Sequence, residues 1–587
     1  MQCKRQRQIW MWLCAFFTLF LFICGCSETM SRPNILLILT DDQGWGDVSL
    51  HGNEILQTPN MDRIATEGAR FDRFFVSPVC APTRASLLTG RYHLSTGVHG
   101  VTRGRETMRA EEITIAEILQ ENGYATGIFG KWHNGAHYPN HPNGQGFDEF
   151  VGFCAGHWNN YFDTTLEHNG DEFESTGYIA DVLTDAAVAF IEQNKNRPFF
   201  CYVPYNTPHT PFQVPDSYFA TCKAKGLDDE LACVYGMCEN LDDNIGRLLN
   251  KLQDLGLTDN TIVIFTTDNG PNTERYNGNM RGRKGSPHEG GSRVPLFIRW
   301  PEHIKAGIVV EHIAAHIDIL PTLIDLLDLP EPKTLPLDGI SLAPLLDNPA
   351  IEWPDRKIYG HWGEAASIRT EQYRFIYRPG AMMLFDMLTD SGETRDIARE
   401  HPEITNALFR EAAAWWAHAR QLNAAYPPAI PVGYENQPLV VLPGHEALLD
   451  IKQENGIGYN DPNGWANDWI TNWVDSTSYP FWWIDVIDEA EYDISIDYTC
   501  SEKNLGTEFK IFIGNQFIEG AITESFDPEP LPSPDRVPRK EVYEKVWKTV
   551  PVGQMTIPEG KHRLEIHAFA IPGDMAMDIK AVRIRKI

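Results

Sequence analysis

The sequence has few basic residues for its length, and this limits the partners that it can have. Its 587 residues include 50 lysines and arginines against 80 aspartates and glutamates, so the formal net charge is -30. A general nucleic-acid-binding protein needs a basic face that neutralises phosphates, so this balance argues against that function. An anionic substrate would have to be held by local clusters of positive charge.

Long apolar runs are also scarce, and the chain has one, near its start. Ile9 to Ile23 are almost wholly apolar and follow basic residues at 4, 5 and 7. The run is short for a spanning helix, so it predicts an export signal over residues 1–26. Cys26 follows a glycine, as in a bacterial lipoprotein cleavage site, and is the candidate lipidated residue; plain secretion and an uncleaved anchor stay open. We expect an exported protein that is periplasmic, anchored by lipid to the outer membrane, or secreted.

Cysteine pairing is not determined by the sequence. Four of the eleven cysteines lie in the signal region. The other seven are Cys80, Cys154, Cys201, Cys222, Cys233, Cys238 and Cys500. An odd number in an exported chain leaves one thiol unpaired. If Cys80 is consumed by chemistry, six remain that could pair or stay buried.

Short apolar runs alternate with helical patterns through the first half of the chain. Strands are expected at 33–39, 71–76, 125–129, 199–203, 261–267 and 294–299. Helices are expected at 61–68, 82–88, 114–122, 181–193, 231–255 and 317–327. This alternation predicts an α/β fold with a large mixed, mostly parallel sheet flanked by helices. Polar residues follow several of these strands, so we expect a site at their carboxyl ends.

Later changes in pattern indicate further units. We place the main catalytic unit at 31–350 and a small α+β sub-domain at 351–430, followed by a proline-rich linker that ends near Gly433. Alternating strands over 433–587 predict an antiparallel β-sandwich that resembles galactose-binding or carbohydrate-binding modules. Five tryptophans within 465–483 could stack on sugars or fill a core, and both interpretations stay open.

The segment 80–90 (CAPTRASLLTG) joins a cysteine to the start of a predicted helix. Unpaired N–H groups and the helix dipole favour an anion at such a position. Arg84, four residues after Cys80, can lie beside it and add positive charge. A lone cysteine at a helix end is more often simply a buried thiol, so the rest of the motif has to carry the interpretation.

This segment resembles the mark of the formylglycine-dependent type I sulfatases, which belong to the alkaline-phosphatase-like superfamily. Their pattern is Cys-x-Pro-x-Arg followed after four residues by Thr-Gly, and residues 80–90 match it completely. In that family a maturation enzyme oxidises the cysteine to formylglycine, whose hydrate supplies the attacking oxygen. The resemblance covers about 33–425 and implies that Cys80 carries the nucleophile.

Two acidic blocks that follow predicted strands point to a metal. Asp41 and Asp42 follow the first strand, and Asp268 and Asn269 follow a later one. Three carboxylates and an amide oxygen form an all-oxygen set that suits Ca²⁺, and Mg²⁺ would also fit. Aspartates after a strand are also common in turns. The resemblance implies that these four residues and the modified Cys80 hold one calcium ion.

Three further blocks resemble the family. They are Gly-Lys-Trp-His at 130–133, Pro-His-Thr-Pro at 208–211, and the segment 281–295 that contains Lys284. The first is usually followed by Leu-Gly, whereas this chain has Asn134-Gly135. A run like Arg281 to Lys284 is usually a solvated patch, but the accompanying motifs favour a place for Lys284 in the site.

The resemblance also implies a role for each site residue. Asp268 would take a proton from the attacking hydrate, and Arg84 would stabilise the alkoxide. Lys131, His209 and Lys284 would hold the sulfate, and His209 or Lys284 would protonate the leaving alcohol. His133 would take the proton of the second hydroxyl, so that sulfate is expelled and the aldehyde returns.

The sequence therefore predicts a sulfatase acting on a sulfated polysaccharide or oligosaccharide. A phosphomonoester or phosphodiester hydrolase of the same superfamily and a non-catalytic carbohydrate-binding protein are the alternatives. The loop 146–162 is expected to cover the site, where His157, Trp158 or Asn159 would contact the sugar. The identity of that sugar and the oligomeric state are not determined.

Overall fold

The structure is a computed structural model that describes residues 32–422 and 428–587. The expected export signal with Cys26 and the first part of the linker lie outside the described residues. Among those that are described, no helix has the length and apolar character needed to cross a membrane.

A large mixed sheet forms the centre of the first half of the chain. Its strands are β1 (Asn34–Thr40), β2 (Ala69–Phe75), β3 (Ala125–Lys131), β4 (Glu149–Phe153), β5 (Thr165–His168), β6 (Asp171–Glu174), β7 (Phe199–Pro204), β8 (Thr261–Thr267), β9 (Arg293–Arg299), β10 (Ile308–Val310) and β11 (Ala314–Ala315). The order is β10-β2-β9-β8-β1-β7-β3-β4-β5-β6, and β11 pairs with β2. The pairs β8-β1, β1-β7, β7-β3 and β3-β4 are parallel, whereas β9 runs antiparallel to β8 and β2. The predicted mixed α/β fold is confirmed.

Helices cover both faces of this sheet. They are α1 (Pro59–Thr66), α2 (Cys80–Thr89), α3 (Ile115–Glu121), α4 (Ile179–Asn194), α5 (Asp216–Ala224), α6 (Asp229–Asp254), α7 (Glu289–Ser292), α8 (Ile319–Leu326) and α9 (Ala343–Asp347). Alternate residues of β1 enter two different hydrophobic clusters, Ile35 and Leu37 on one face and Leu36 and Ile38 on the other. A strand buried on both faces reads as a continuous apolar run, which is why the sequence located β1.

The six predicted helices begin one or two residues from their observed starts, and two of these differences have a clear cause. The helix predicted from Met61 begins at Pro59, because proline suits the first turn, and Thr58 is the N-cap. The helix predicted to open at Pro82 begins at Cys80 itself, so the proline lies inside the first turn. Cys80 is therefore the first residue of α2 rather than a residue that precedes it.

A four-stranded antiparallel sheet and one helix follow the large sheet. The strands are β12 (Ile358–Trp362), β13 (Ala365–Arg369), β14 (Tyr373–Arg378) and β15 (Ala381–Asp386), and the helix is α10 (Pro402–Leu422). Arg374 of β14 is buried and binds Glu289 of α7 at 2.9 Å. This pair ties the small sheet to the segment that carries Lys284.

Two six-stranded sheets pack on each other at the C-terminal end. The first contains β16 (Ile430–Val432), β18 (Leu448–Asp450), β21 (Tyr479–Val486), β23 (Glu508–Ile513), β24 (Gln516–Ala521) and β26 (Gly560–Ala570). The second contains β17 (Leu439–Pro443), β19 (Gly458–Tyr459), β20 (Ile470–Thr471), β22 (Ala490–Thr499), β25 (Lys548–Ile557) and β27 (Asp578–Lys586). Their facing side chains form one hydrophobic cluster, as expected of a sandwich.

The tryptophans of this sandwich serve mainly as packing residues. Trp469, Trp473 and Trp482 are buried, Trp465 is partly buried, and Trp483 is exposed. Most of the cluster therefore fills a core, and sugar binding by this unit stays a prediction. All seven cysteines of the described residues are free thiols, six of them buried.

Gly130 in β3 provides a test of how the sheet positions the site. Its φ is 146°, and an added Cβ would lie 2.0 Å from the carbonyl oxygen of Pro204 in the neighbouring β7. Gly130→Ala should therefore separate the two strands and destabilise the protein by about 1–3 kcal/mol. The change should also lower activity, because Lys131 follows directly. Thermal unfolding and turnover measure the two effects. Gly458→Ala, which meets open space, is the control; equal behaviour of the two variants would contradict the prediction.

Candidate active site

The site lies where neighbouring parallel strands end at one edge of the sheet. Asp41 and Asp42 follow β1, Lys131 is the last residue of β3, and Asp268 and Asn269 follow β8. The carboxyl ends of parallel strands share an edge, so residues that are far apart in sequence meet here. The loop after β7 carries His209, and α2 presents its first residue, Cys80.

Arg84 joins these strand ends from the first turns of α2. Its side chain is 0% exposed. It donates to Asp268 Oδ2 from Nη2 at 2.8 Å and from Nε at 3.1 Å, and Nη2 lies 3.3 Å from Asp41 Oδ2. Nη1 donates to the carbonyl oxygen of Lys131 at 2.7 Å. One guanidinium therefore contacts β3 and the residues that follow β1 and β8, as its planar set of donors allows.

Two lysines complete the pairing of the carboxylates. Lys131 Nζ lies 2.6 Å from Asp41 Oδ2, and Lys284 Nζ lies 2.6 Å from Asp42 Oδ1. Asn269 Nδ2 also donates to Asp42 Oδ1, at 2.7 Å. The structure thus brings Lys284 into the site, although its segment looks like a surface patch in sequence. In each of the two aspartates, one carboxylate oxygen therefore pairs with a lysine, and the other oxygen does not.

The other oxygen of each aspartate and the amide oxygen of Asn269 form a set of hydrogen-bond acceptors that fits a divalent cation. Asp41 Oδ1, Asp42 Oδ2 and Asn269 Oδ1 are buried and have no hydrogen-bond partner among the described residues. A buried acceptor without a partner costs free energy, so three of them together call for a ligand. Oxygen-only sets of carboxylates and an amide suit Ca²⁺ or Mg²⁺. Asp42 also has a left-handed backbone, with φ of 63°, and such strain is typical of functional sites.

Asp268 differs from the other acidic residues, because both of its oxygens are engaged. Oδ2 accepts from Arg84, and Oδ1 accepts from the backbone N–H of Asp42 at 3.2 Å. Burial and the neighbouring Asp41 raise the pKa of Asp268 to about 7, against the pull of Arg84. A bound cation would lower that pKa, since it favours the charged form. The pKa of Asp41 moves the other way, because Lys131, His209 and Arg84 together outweigh its burial.

The hydrogen bond of His133 identifies its protonated nitrogen. Nε2 lies 2.9 Å from the carbonyl oxygen of Val101, so it must carry the hydrogen, and Nδ1 keeps its lone pair. Nδ1 is buried and has no partner in the described part of the chain. Burial first, and then Lys131, lower the pKa of His133 well below its ordinary value. His133 is therefore a neutral imidazole with a free proton-accepting atom.

His209 presents the opposite nitrogen to the site. Nδ1 is 2.7 Å from the carbonyl oxygen of Thr210, so Nδ1 donates, and Nε2 faces Asp42 Oδ2 at 3.8 Å. Burial, followed by Lys284, lowers the pKa of His209. To donate a proton or a hydrogen bond from Nε2, His209 must first be protonated there, whereas Lys284 carries a proton throughout, because Asp42 raises its pKa against the effect of burial.

Cys80 lies at the positive end of α2 and is 3% exposed. Val79, the N-cap, makes no side-chain hydrogen bond to the helix, and every residue of α2 is buried. Burial raises the pKa of the Cys80 thiol, and Lys131 and Lys284 oppose this only in part. The unmodified thiol is therefore protonated and a poor nucleophile, in contrast to cysteines that act as thiolates.

The loop predicted to cover the site is only partly a site loop. Trp158 stacks on Phe153 with ring centroids 4.8 Å apart and donates to Thr164 at 2.8 Å, so it packs rather than faces a ligand. His157 lies beside His209, with 5.9 Å between ring centroids. Glu541 also borders the site, because Thr210 Oγ1 donates to it at 2.6 Å. No signal in the sequence associates Glu541 with residues so far away in the chain.

Comparison with known proteins agrees with this geometry. Residues 33–329 match the sulfatase family, and residues 284–413 match the C-terminal domain of N-sulphoglucosamine sulphohydrolase. Human N-acetylgalactosamine-6-sulfatase is 32% identical over 382 residues, covering 59% of this chain and 71% of that protein. Human arylsulfatase A is 36% identical over 361 residues, covering 54% and 68%.

A solved structure extends the comparison to the fold. The structure of Ps i-CgsB in complex with k-i-k-neocarrahexaose superposes with a TM-score of 0.64 at 32% identity, and the match covers 68% of this chain and 95% of that one. Sulfatases use a formylglycine and a divalent metal, and a cysteine thiol and unpaired acceptor oxygens of the kinds that these require are present at Cys80 and at Asp41, Asp42 and Asn269. The chain belongs to the sulfatase family and is a sulfuric ester hydrolase.

Proposed function

We propose that this chain removes sulfate from a sulfated oligosaccharide or polysaccharide, using a formylglycine made from Cys80 and one calcium ion. The observation that carries the proposal is the position of Cys80, at the N-terminus of a buried helix and opposite two lysines and the acceptor oxygens. The saccharide substrate is supported by the similarity to an N-acetylgalactosamine-6-sulfatase and to Ps i-CgsB, whose structure is a complex with k-i-k-neocarrahexaose.

Asp41, Asp42 and Asn269 would hold the cation, together with Asp268 and the modified residue 80. The hydrate of the formylglycine would supply the attacking oxygen, and the bound cation would polarise the sulfate ester. We assign calcium rather than magnesium, because a set of four side chains from two loops suits the larger and less strictly octahedral ion.

The chain's own residues then have separate tasks. Lys131 and Lys284 neutralise the sulfate oxygens from fixed positions, which is the electrostatic part of catalysis. Asp268 would accept the proton of the attacking hydroxyl, and Arg84, which donates to Asp268 Oδ2, would orient this carboxylate and stabilise negative charge on the attacking oxygen. His209 or Lys284 would protonate the leaving alcohol: Lys284 is protonated but its raised pKa makes it a weak acid, whereas His209 must first gain a proton at Nε2. His133 accepts the second proton at Nδ1, the atom that its bond to Val101 leaves free.

The nucleophile can be tested by one substitution and one mass measurement. Cys80→Ala should fold normally and lose turnover of sulfate esters entirely, because no other residue can supply the attacking oxygen. In wild-type protein from a host with the maturation enzyme, the peptide containing residue 80 should be lighter by about 18 Da than the cysteine form. Turnover by protein with unmodified Cys80, or faster hydrolysis of the matching phosphate ester, would contradict the proposal.

The metal can be tested through stability as well as activity. Chelation should abolish turnover, and calcium at one hundred times its Kd should stabilise the fold by about 2.7 kcal/mol, seen as a rise in Tm. Asp42→Asn keeps the size and tolerates the left-handed backbone, but it should weaken the calcium-dependent shift. Asp171→Asn, an exposed change in β6, should leave the shift intact. A larger shift with magnesium than with calcium would assign the other ion.

The role of His133 can be tested by a substitution that preserves its backbone. Its φ is 64°, which asparagine tolerates, and the asparagine amide can still donate a hydrogen bond. His133→Asn should therefore fold but lower kcat by about 10²–10⁴-fold, the usual contribution of a general base. His401→Asn at an exposed site should keep wild-type rates. A His133→Asn variant with normal kcat would remove His133 from the mechanism.

A further inference from the structure

The connection between β24 and β25 leaves the C-terminal sandwich and packs on the catalytic unit. Within this connection, residues 522–547, Arg536 donates to the carbonyl oxygen of Val214 at 2.9 Å, and its guanidinium lies 4.5 Å from the ring centroid of Phe219. Gln213 Nε2 donates to Asp535 Oδ1 at 2.7 Å. Val537 packs against one of the two hydrophobic clusters of the large sheet. These contacts fix the connection in place.

The connection carries Glu541 to the edge of the active site. Glu541 Oε1 accepts from Thr210, the residue directly after His209, at 2.6 Å. Glu541 Oε2 is buried and accepts no hydrogen bond from any described residue. Water can solvate an acidic group on the surface, but it does not reach this buried oxygen, which has no hydrogen bond from the described residues. A buried carboxylate oxygen without a hydrogen bond costs free energy, so a donor from outside the chain would stabilise it.

Two catalytic-unit residues beside Glu541 also have unpaired buried atoms. His157 is 5% exposed, and neither of its ring nitrogens has a hydrogen-bond partner within the described ranges. Asn159 is 4% exposed; its Nδ2 donates to Glu544 at 2.6 Å, which leaves Oδ1 unpaired. Asn467 of the sandwich donates to the carbonyl oxygen of His157 at 2.7 Å and holds that segment in place.

These atoms have the chemistry of a hydroxyl-binding site. A carboxylate oxygen and an amide oxygen accept hydrogen bonds, and a neutral imidazole both accepts and donates one. Burial lowers the pKa of His157 to about 3, against the attraction of Glu541, so the ring is neutral at neutral pH and does not compensate the carboxylate. A neutral group rich in hydroxyls satisfies all three residues, whereas a second anionic group would meet the unpaired charge of Glu541.

We propose that Glu541, His157 and Asn159 form a subsite for a neutral, hydroxyl-bearing saccharide ring next to the sulfate-binding residues. The C-terminal sandwich thereby takes part in substrate choice, favouring a ring with free hydroxyls and rejecting one that carries a second sulfate or a carboxylate. This subsite rests on the proposed saccharide substrate. The matched family domains end by residue 413, so Glu541 comes from a part of the chain outside them.

The test compares a saccharide substrate with one that has no sugar. Wild type, Glu541→Ala, Glu541→Gln and His157→Ala are assayed on 4-nitrophenyl sulfate and on singly and doubly sulfated saccharides. In Glu541→Ala, kcat/KM for the singly sulfated saccharide should fall relative to that for 4-nitrophenyl sulfate by about tenfold to a hundredfold, as expected when a charged hydrogen-bond partner is removed. Glu529→Ala, an exposed carboxylate of the same connection, should keep the wild-type ratio.

Glu541→Gln distinguishes the effect of the negative charge of Glu541 from the effect of its hydrogen bond with Thr210. Glu541→Gln can still accept from Thr210, but it removes the negative charge, so the preference for singly over doubly sulfated saccharides should shrink. His157→Ala removes no side-chain hydrogen bond within the described residues. Like Glu541→Ala, it should lower kcat/KM for the singly sulfated saccharide relative to that for 4-nitrophenyl sulfate. If all variants keep the wild-type ratios, Glu541 only supports Thr210 and the subsite is wrong. If wild type hydrolyses 4-nitrophenyl sulfate but no sulfated saccharide, the proposed substrate fails, and the subsite fails with it.

Discussion

The buried ion pairs of Arg84 are the constraint on which the rest of the site depends. A guanidinium with no exposed surface is tolerated only where its charge is met, and Asp268 and Asp41 meet it. Lys131 and Lys284 pair with the remaining charge of Asp41 and Asp42. Three carboxylates thus oppose three cations before any metal is present. A divalent cation then leaves the pocket positive by about two charges, which can hold a sulfate ester although the whole chain carries -30.

Many residues of this site could be located from the sequence, because each lies in a short motif or next to a predicted strand. Asp41, Asp42, Asp268 and Asn269 directly follow strands, and parallel topology brings those strand ends to one edge, whereas His209 and Lys284 lie on longer loops. The pairing between the parts was not predictable. Nothing in the sequence indicates that Arg84 binds Asp268, or that one oxygen of each of Asp41 and Asp42 has no hydrogen-bond partner among the described residues. Those facts depend on side-chain directions, which only the packed fold defines.

In the C-terminal sandwich, even less of the side-chain packing could be predicted from the sequence. Its alternating strands were predictable, and its tryptophans could be interpreted either as a core or as a sugar platform, because a buried and an exposed aromatic have the same letter. Burial decides between them for Trp469, Trp473 and Trp482. The contact between Thr210 and Glu541 spans 331 residues. It lies on a connection without strands, so neither periodicity nor a motif marks it.

His209 is the point at which the two regions meet. Its Nε2 faces Asp42 at 3.8 Å, its ring lies beside His157, and the next residue binds Glu541. Lys284 and burial favour the neutral ring, whereas Asp42 and Asp41 favour the charged one. A bound sulfate would add negative charge on the same side as the aspartates and favour protonation, whereas a bound cation would oppose it. The protonation of His209 therefore depends on both the proposed metal and the proposed sulfate, and Thr210 connects this residue to the C-terminal sandwich.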